Sequence, residues 1–395
     1  CGSPARYRRP LPVHAALCRL IAVCIENLPH GKRILVAMSG GVDSSVTAKL
    51  LCDAGNECIG CTMKLYRNED AGISAGHTCC SLDDVEDARR VAYHLGMAYY
   101  VFNFAKDFAA RVIDPFVAAY RAGRTPNPCI ECNRHMKFDK LYTRAKMLGC
   151  DYIATGHYAR IVYENGSYRL KKALNPTKDQ SYVLYGMTKE QLAHTLFPLG
   201  ALSKQTTRAI AAEGGLCCAE KPDSQDICFV PDGDYARVIE SRVIESRTGE
   251  AAVPGDFVDT AGRKKGTHRG IIHYTIGQRR GLGIPATNRL YVCGIDPTHN
   301  TVTLGPESAL YTDTALVEAC HWIDGEVPQE PFRCAVKIRY HQPEQSAVLL
   351  PLDETHVEIR FDHPQRAVTP GQAAVFYDGD TVLGGGVLSE KAENR

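Results

Sequence analysis

Ser39-Gly40-Gly41-Val42-Asp43-Ser44-Ser45 follows the apolar run Ile34-Leu35-Val36-Ala37-Met38 and leads into the helix-like segment Val46 to Ala54. A buried strand ending in Gly-Gly, with hydroxyl residues at the helix start behind it, leaves backbone N–H groups without intrahelical partners and free to face an anion. The two glycines let the backbone approach that anion closely, and Ser44 and Ser45 add hydroxyl donors. Asp43 would repel a phosphate by itself. Its carboxylate reads instead as an oxygen ligand for Mg²⁺ carried on phosphates.

What the stretch lacks is equally informative. An ordinary P-loop carries Gly-x-x-x-x-Gly-Lys-Ser/Thr, and its lysine reaches the β- and γ-phosphates. No lysine stands at that spacing here. The stretch resembles instead the loop of the ATP-pyrophosphatase superfamily, whose members release pyrophosphate and leave AMP on the substrate. The competing reading is a glycine-rich strand-to-helix turn that binds nothing.

The chain of 395 residues is long enough for two or three domains. Its 46 Lys and Arg against 45 Asp and Glu leave almost no net field, so a polyanion must be met by local basic patches. No apolar run approaches the roughly 20 residues that span a bilayer. Residues 1–31 precede the first strand. They are arginine-rich, and the stretch 15–25 reads as an amphipathic helix within a non-essential extension rather than a cleaved leader, because His14 and Arg19 interrupt its apolar part. The 17 cysteines are odd in number and scattered, which argues against a secreted disulfide framework and for a reducing, cytoplasmic compartment. Cys52, Cys58, Cys61, Cys150, Cys293 and Cys334 sit in apolar stretches, as small hydrophobes do.

From residue 32 to about 230, strands at 33–38, 57–63, 98–103 and 151–155 alternate with helices at 44–54, 81–95, 105–121 and 136–148. Ser81 and Asp84 read as a capping box. This alternation predicts an α/β domain with a parallel sheet, whose ligands sit at the carboxyl ends of the strands. Thr155-Gly156-His157-Tyr158 lies at such an end and should face the same crevice as Ser39–Ser45. A hairpin follows around Asn165-Gly166, a type I′ turn signal. Residues 231–305 read as a connector: Arg237-Val-Ile-Glu-Ser-Arg242-Val-Ile-Glu-Ser-Arg247 is one helix with a local duplication, followed by the basic, glycine-rich stretch 266–283. From 306 to 395, the alternation of Val357, Ile359 and Phe361 with Glu358 and Arg360, and the turn at Asp378-Gly379, predict a small closed β-barrel.

Two cysteine sites stand apart. Thr125-Pro126-Asn127-Pro128-Cys129-Ile130-Glu131-Cys132-Asn133 reads as a proline-rich loop ahead of a basic helix, and Asp223-Ser224-Gln225-Asp226-Ile227-Cys228-Phe229 follows Lys221-Pro222. Cysteines beside Lys and Arg have a raised thiolate fraction. A bare C-x-x-C serves redox, zinc and iron–sulfur sites alike. The pairs Cys79-Cys80 and Cys217-Cys218 lack the two-to-four-residue spacing of zinc ligands.

Taken in series, Ser39–Ser45, Gly123-Arg124-Thr125-Pro126-Asn127-Pro128, Ala154-Thr155-Gly156-His157-Tyr158, Lys178-Asp179-Gln180-Ser181-Tyr182, Ile227-Cys228-Phe229 and Thr369-Pro370-Gly371-Gln372 resemble the tRNA-specific 2-thiouridylase family. The resemblance runs in order from about residue 32 to the C-terminus. It implies an adenine-nucleotide hydrolase-like fold and a sulfurtransferase that adenylates the C2 carbonyl of the wobble uridine and replaces its oxygen with sulfur. By position it implies ATP contacts at Ala37, Met38, Ser39, Gly40, Gly41, Val42, Asp43, Ser44, Met63 and Gly156. Cys132 falls on the nucleophile and Cys228 on the persulfide carrier, with a transient disulfide between them. Asn127, Pro128 and Cys129 fall where the target base is met. His157, Lys178, Asp179, Gln180, Arg339, Tyr340 and Gln372 fall on tRNA contacts. ATP, Mg²⁺, a tRNA anticodon stem-loop and a persulfide donor protein are the implied cofactors and partners.

Many relatives carry Asp where this chain has Cys129. The substitution leaves Cys129, Cys132 and Cys228 as a three-thiolate set, so an iron–sulfur cluster stands as a second sulfur chemistry beside the persulfide. Independently of any family, a carbonyl oxygen leaves poorly until it is coupled to AMP, which calls for an adenylating loop, and an anticodon base must leave its stack to react. Arg121, Arg124, Lys171, Lys172, Lys264, Lys265, Arg279 and Arg280 would meet phosphates, although each singly reads equally as a solvated charge. Two rival readings remain: an amide-forming ligase, which would need an ammonia source, and a non-catalytic tRNA or iron–sulfur binding protein, which would need neither the loop nor the cysteines.

Overall fold

The structure, a computed structural model, describes residues 21–66, 82–222, 227–230, 233–246 and 252–390. β1 (Arg33–Ala37) is the centre of a five-stranded sheet. Its Ile34, Leu35 and Val36 are fully buried, as a strand covered on both faces requires. α1 (Val42–Asp53), β2 (Glu57–Lys64), α2 (Leu82–His94) and β3 (Ala98–Asn103) follow in alternation. Three contiguous segments, Ala105–Phe108, Ala109–Ile113 and Asp114–Arg121, make α3. Three more, Pro128–Glu131, Cys132–Leu141 and Tyr142–Met147, make α4, whose middle segment is wound as a π-helix. β4 (Tyr152–Ala154) completes the core, and β7 (Thr195–Leu196) pairs beyond it.

All neighbours in this sheet are parallel, in the order β3-β2-β1-β4-β7. The order reverses between β1 and β4. That switch point opens a crevice at the carboxyl ends of those two strands, where the connections diverge to opposite sides. The loops after β1 and after β4 therefore flank one crevice, as their positions in the sequence predict.

α4 differs from the expectation. The sequence suggests a helix from residue 136, with Cys129 and Cys132 in the loop before it. In the structure the helix begins at Pro128, with Asn127 as its N-cap: the Asn127 side chain accepts the Cys129 N–H at 3.1 Å. Asparagine at the cap and proline at the first helical position form a strong start signal. Both cysteines accordingly ride on a helix.

The hairpin β5 (Ala159–Glu164) and β6 (Ser167–Lys172) turns at Asn165 and Gly166, both with positive φ, as a type I′ turn demands. It does not extend the parallel sheet. It joins the C-terminal sheet through Lys171 opposite Thr381. Residues 255–305 are strands as well: β8 (Gly255–Asp259), β9 (Lys264–His268), β10 (Tyr291–Asp296) and β11 (Thr301–Gly305) form a four-stranded sheet around Phe257, Val292, Val302 and Leu304. Strands this short, broken by glycine, were not legible as a sheet. Helix α6 (Tyr235–Ser246) carries the duplicated segment; Arg247, Cys79, Cys80, Ser81 and residues 223–226 lie outside the described residues.

The last six strands are β12 (Tyr311–Trp322), β13 (Phe332–Lys337), β14 (Gln345–Pro351), β15 (Val357–Arg366), β16 (Ala373–Asp378) and β17 (Thr381–Ser389). β12 pairs with both β15 and β17 and so closes the barrel, which removes the free edges. Val357, Ile359 and Phe361 point into its core, as the alternation predicts. Residues 21–26 of the N-terminal extension are helical, and Ile21, Cys24, Ile25 and Leu28 pack on the core beside β1.

Candidate active site

The loop after β1 is held by its own hydroxyls. The Ser39 N–H donates to Ser44 Oγ at 3.1 Å; Ser44 Oγ and Ser45 Oγ both donate to the Gly41 carbonyl, at 3.1 and 2.9 Å. Gly41, the N-cap of α1, offers no side chain, so the first-turn N–H groups are left for a ligand. Gly40 has φ +77 and lies against the Asp84 backbone, where a Cβ would collide. Asp43 faces Tyr158, whose hydroxyl donates to its Oδ1 at 2.8 Å, and Lys204, whose ammonium donates to both carboxylate oxygens at 2.7 and 2.8 Å.

The loop after β4 meets this one at Gly156. A Cβ there would stand 2.8 Å from the Ser44 nitrogen and 2.9 Å from the Asp43 carbonyl carbon, so only glycine permits the approach. His157 is buried. Its Nε2 lies 3.3 Å from Lys137 Nζ and its Nδ1 lies 2.7 Å from Thr155 Oγ1. An ammonium can only donate, so Nε2 carries the lone pair and Nδ1 the proton. Burial, and secondarily the Lys137 charge, hold the His157 pKa well below the usual value, which keeps the ring neutral and aims Lys137.

Lys137 belongs to the π-helical segment that begins at Cys132, and π-turns recur where a helix must re-aim side chains. Burial pushes the Cys132 thiol up to about 11; Lys137 pulls it down and Cys129 adds to the rise. Cys132 and Cys228 both pack on one apolar cluster built from Tyr66, Phe108, Phe116, Met136 and Phe229. The Tyr66 hydroxyl, just past the carboxyl end of β2, donates to the Cys228 carbonyl. Met63, expected at the nucleotide, bridges this cluster and the main core. The tertiary fold thus packs two cysteines that are distant in sequence against the same hydrophobic cluster. Cys129 is exposed, one turn outward, within electrostatic reach of Cys132 and Tyr340.

Several residues expected to touch tRNA are engaged inside the protein. Gln372 Nε2 donates to the Thr125 carbonyl at 2.7 Å, and the Thr125 N–H donates to the Pro370 carbonyl at 2.9 Å. Gly371, at φ +91, leaves the room that this contact needs. Arg339 donates to the Ala367 carbonyl and to Thr369 Oγ1 at 2.7 and 2.6 Å. The barrel therefore clamps the segment that leads into Asn127, Pro128 and Cys129. The Gln180 amide oxygen accepts the Tyr158 N–H at 2.9 Å, and Asp179 accepts from the Ala173 N–H at 2.9 Å and from Ser181 Oγ at 2.7 Å. Lys178 stands in the preceding turn, its N–H on the Asn175 carbonyl. Tyr340 packs near Tyr182, with Lys337 over both rings.

Of the basic groups expected at phosphates, Arg124 faces Glu318, Lys171 faces Glu164 and Asp380, Lys172 faces Glu344, Lys264 faces Asp256 and Lys265 faces Asp259. Among the described residues no group of three or more His, Cys, Asp or Glu converges on a point that would hold a metal ion. Cys129, Cys132 and Cys228 do not fit a cluster as they stand, because the first is exposed while the other two rest in the apolar wall. Asp43 is a carboxylate at the mouth of the loop after β1, but both its oxygens face the Lys204 ammonium, so a phosphate-borne Mg²⁺ fits there once that ammonium turns away. Lys204 escaped the sequence reading, since nothing local marks it, whereas Thr155 lies inside the motif after β4 and Lys137 in the basic helix expected behind Cys129 and Cys132.

Three family models match along the chain: the tRNA methyl transferase HUP domain at residues 32–232, the tRNA methyl transferase PRC-barrel domain at 241–306, and the Aminomethyltransferase beta-barrel domain at 312–388. The chain is 50% identical over 368 residues to the tRNA-specific 2-thiouridylase MnmA of Geotalea uraniireducens, covering 92% of this chain and 96% of that one. It is 48% identical over 359 residues to the protein of the same name from Lachnoclostridium phytofermentans, covering 90% and 99%. It is 50% identical over 361 residues to that of Acetivibrio thermocellus, again covering 90% and 99%.

Proposed function

This chain belongs to the tRNA-specific 2-thiouridylase family, and from that premise we propose how its residues divide the work of converting a tRNA uridine to 2-thiouridine with ATP. The observation that carries the reading is the common apolar seat of Cys132 and Cys228 beside a crevice flanked by an anion-binding loop. Methyl transfer, the reaction in the name of two of the domain models, would call for neither feature.

The backbone N–H groups from Gly40 to Ser44 cradle the phosphates, and Gly156 brings the second loop against them. Asp43 would hold a Mg²⁺ carried by the ATP phosphates, and that ion would supply charge neutralisation. The C2 carbonyl oxygen of the wobble uridine bonds to the α-phosphorus as the bond to the bridging oxygen breaks. The electron pair leaves on pyrophosphate, and the uracil N3 proton is lost to solvent. O-linked AMP is now a good leaving group.

A persulfide on Cys228, delivered by a persulfide-bearing donor protein in a reducing cytoplasm, attacks C2 through its terminal sulfur. The C–S bond forms as AMP departs with the C–O electron pair. The Cys132 thiolate then attacks Sγ of Cys228; a Cys132–Cys228 disulfide forms, and the electrons of the broken S–S bond leave on the 2-thiouridine sulfur. An external dithiol reduces that disulfide before the next turnover. Lys137, held toward Cys132 by neutral His157, favours the thiolate that this step needs. Persulfide chemistry is preferred to a cluster because it uses only the two thiols that pack on the same hydrophobic cluster. Asn127, Pro128 and Cys129, at the start of α4, meet the extruded base, with the barrel setting their position.

The test is a single turnover with unmodified tRNA, ATP and persulfide-loaded protein. AMP, pyrophosphate, 2-thiouridine and a Cys132–Cys228 disulfide should appear in equal amounts. ADP and phosphate in place of AMP and pyrophosphate would overturn the adenylation step; product without disulfide would overturn the role of Cys132.

A further inference from the structure

The anion-binding loop contains no lysine, yet a lysine stands at its mouth. Lys204 comes 161 residues after Asp43 in the chain and places its ammonium 2.7 and 2.8 Å from the two Asp43 carboxylate oxygens. We propose that Lys204 is the lysine of this nucleotide loop, delivered from a separate helix, and that it neutralises charge on the phosphates as pyrophosphate leaves.

The placement is costly for local structure, which argues that it serves the site. Lys204 is the first residue of α5 (Lys204–Glu213), directly behind the N-cap Ser203, whose Oγ accepts the Thr206 N–H at 3.0 Å. A cation there opposes the helix dipole, and no acidic residue in that first turn offsets it. The side chain is only 14% exposed, so the ammonium has also given up most of its water. α5 packs against α1, the helix that the loop feeds, and its buried Thr207 lies 3.0 Å from the Tyr158 hydroxyl that also holds Asp43. Asp43, Tyr158, Lys204 and Thr207 thus join both crevice loops to α5 in one polar cluster.

In the free protein the Lys204 ammonium faces the Asp43 carboxylate. A triphosphate seated on the N–H groups of Gly40 to Ser44 brings several more negative oxygens alongside Asp43. Four flexible methylenes let the ammonium turn to them without moving the helix. As the bond from the α-phosphorus to the bridging oxygen breaks, negative charge grows on the departing pyrophosphate, and a positive group already in place stabilises that charge most. This role rests on the adenylation reading given above.

The experiment compares wild type with Lys204→Met, Lys204→Gln and Lys204→Arg. It measures ATP affinity without tRNA, and the rate of pyrophosphate release in a single turnover with saturating ATP and tRNA. Lys204→Gln keeps two of the four methylenes and an N–H donor toward Asp43, which makes it the second variant should Lys204→Met fail to fold. The Met and Gln variants should lose about 100-fold or more in rate, with ATP affinity changed by less than about threefold. Lys204→Arg should recover about tenfold of that loss through its charge. A merely structural lysine would lower the melting temperature and ATP affinity together and leave the rate from the bound complex intact. A folded Lys204→Gln that releases pyrophosphate within about threefold of the wild-type rate overturns the proposal. Wild-type protein that releases no pyrophosphate with tRNA overturns the adenylation reading itself, so the two failures are told apart.

Discussion

Gly156→Ala tests the geometry of the crevice with a single methyl group. The new Cβ would lie 2.8 Å from the Ser44 nitrogen, 2.9 Å from the Asp43 carbonyl carbon and 3.1 Å from Asp43 Cβ. The first two are backbone atoms in the first turn of α1, so no rotamer change relieves the contact. Restoring ordinary van der Waals separation needs a displacement of about half an ångström between the two loops. Overpacking of this kind costs about 1–3 kcal/mol of stability. Its effect on chemistry should be larger in proportion, because misplacing a reactant by about 1 Å costs roughly 100-fold in rate. Half that displacement, applied to the N–H groups that receive the phosphates, predicts a loss of about 10- to 100-fold in pyrophosphate release. Thermal unfolding, circular dichroism and a single-turnover assay with tRNA would measure both consequences. A variant that melts as wild type does and releases pyrophosphate within twofold of the wild-type rate would refute the close approach of the two loops.

Three further outcomes follow from the same structure. Asp43→Ala should abolish AMP formation, with a loss of about 10²–10³ or more, while the protein still folds; residual activity above about a tenth of wild type would refute its role. Alkylation of Cys132 by iodoacetamide should stay slow at pH 8, where only about a thousandth of a thiol titrating near 11 is thiolate, and should climb without a plateau past pH 9. The unfolded chain loses this proton near 9.0 and the folded chain near 11, so the associated stability is complete below pH 9 and is lost as the pH rises through 11. Gln372→Ala should weaken thiolation severalfold with tRNA affinity nearly unchanged, because its amide braces Thr125; a large loss of tRNA affinity with normal turnover of bound tRNA would assign it to direct contact instead.

Much of the nucleotide domain was legible because its signals are local. A continuous apolar run such as Ile34-Leu35-Val36 can sit only between two covering layers, and glycine after such a strand marks an approaching backbone. The start of α4 was also written locally, in Asn127 and Pro128; reading that cap would have placed Cys129 and Cys132 on a helix. The four-stranded sheet of residues 255–305 was not legible, since its strands are short, glycine-broken and mostly half-exposed, and the β8–β11 pairing that joins its two hairpins links segments about 45 residues apart.

The sequence by itself determined the chemistry on offer: an anion-binding loop without its lysine, a second loop after β4, and cysteines set apart from the core. Only the tertiary structure decided which groups meet. Lys204 arrives at Asp43 from a helix whose own sequence gives no reason for a lysine there, and Cys228 packs on the same hydrophobic cluster as Cys132. The barrel reaches back to brace Thr125 through Gln372, and the hairpin after β4 pairs with the barrel rather than with its own sheet. The physical reason is common to all four. A hydrogen bond, an ion pair or a strand pairing between distant segments depends on where the whole chain packs, and no local periodicity or cap records that.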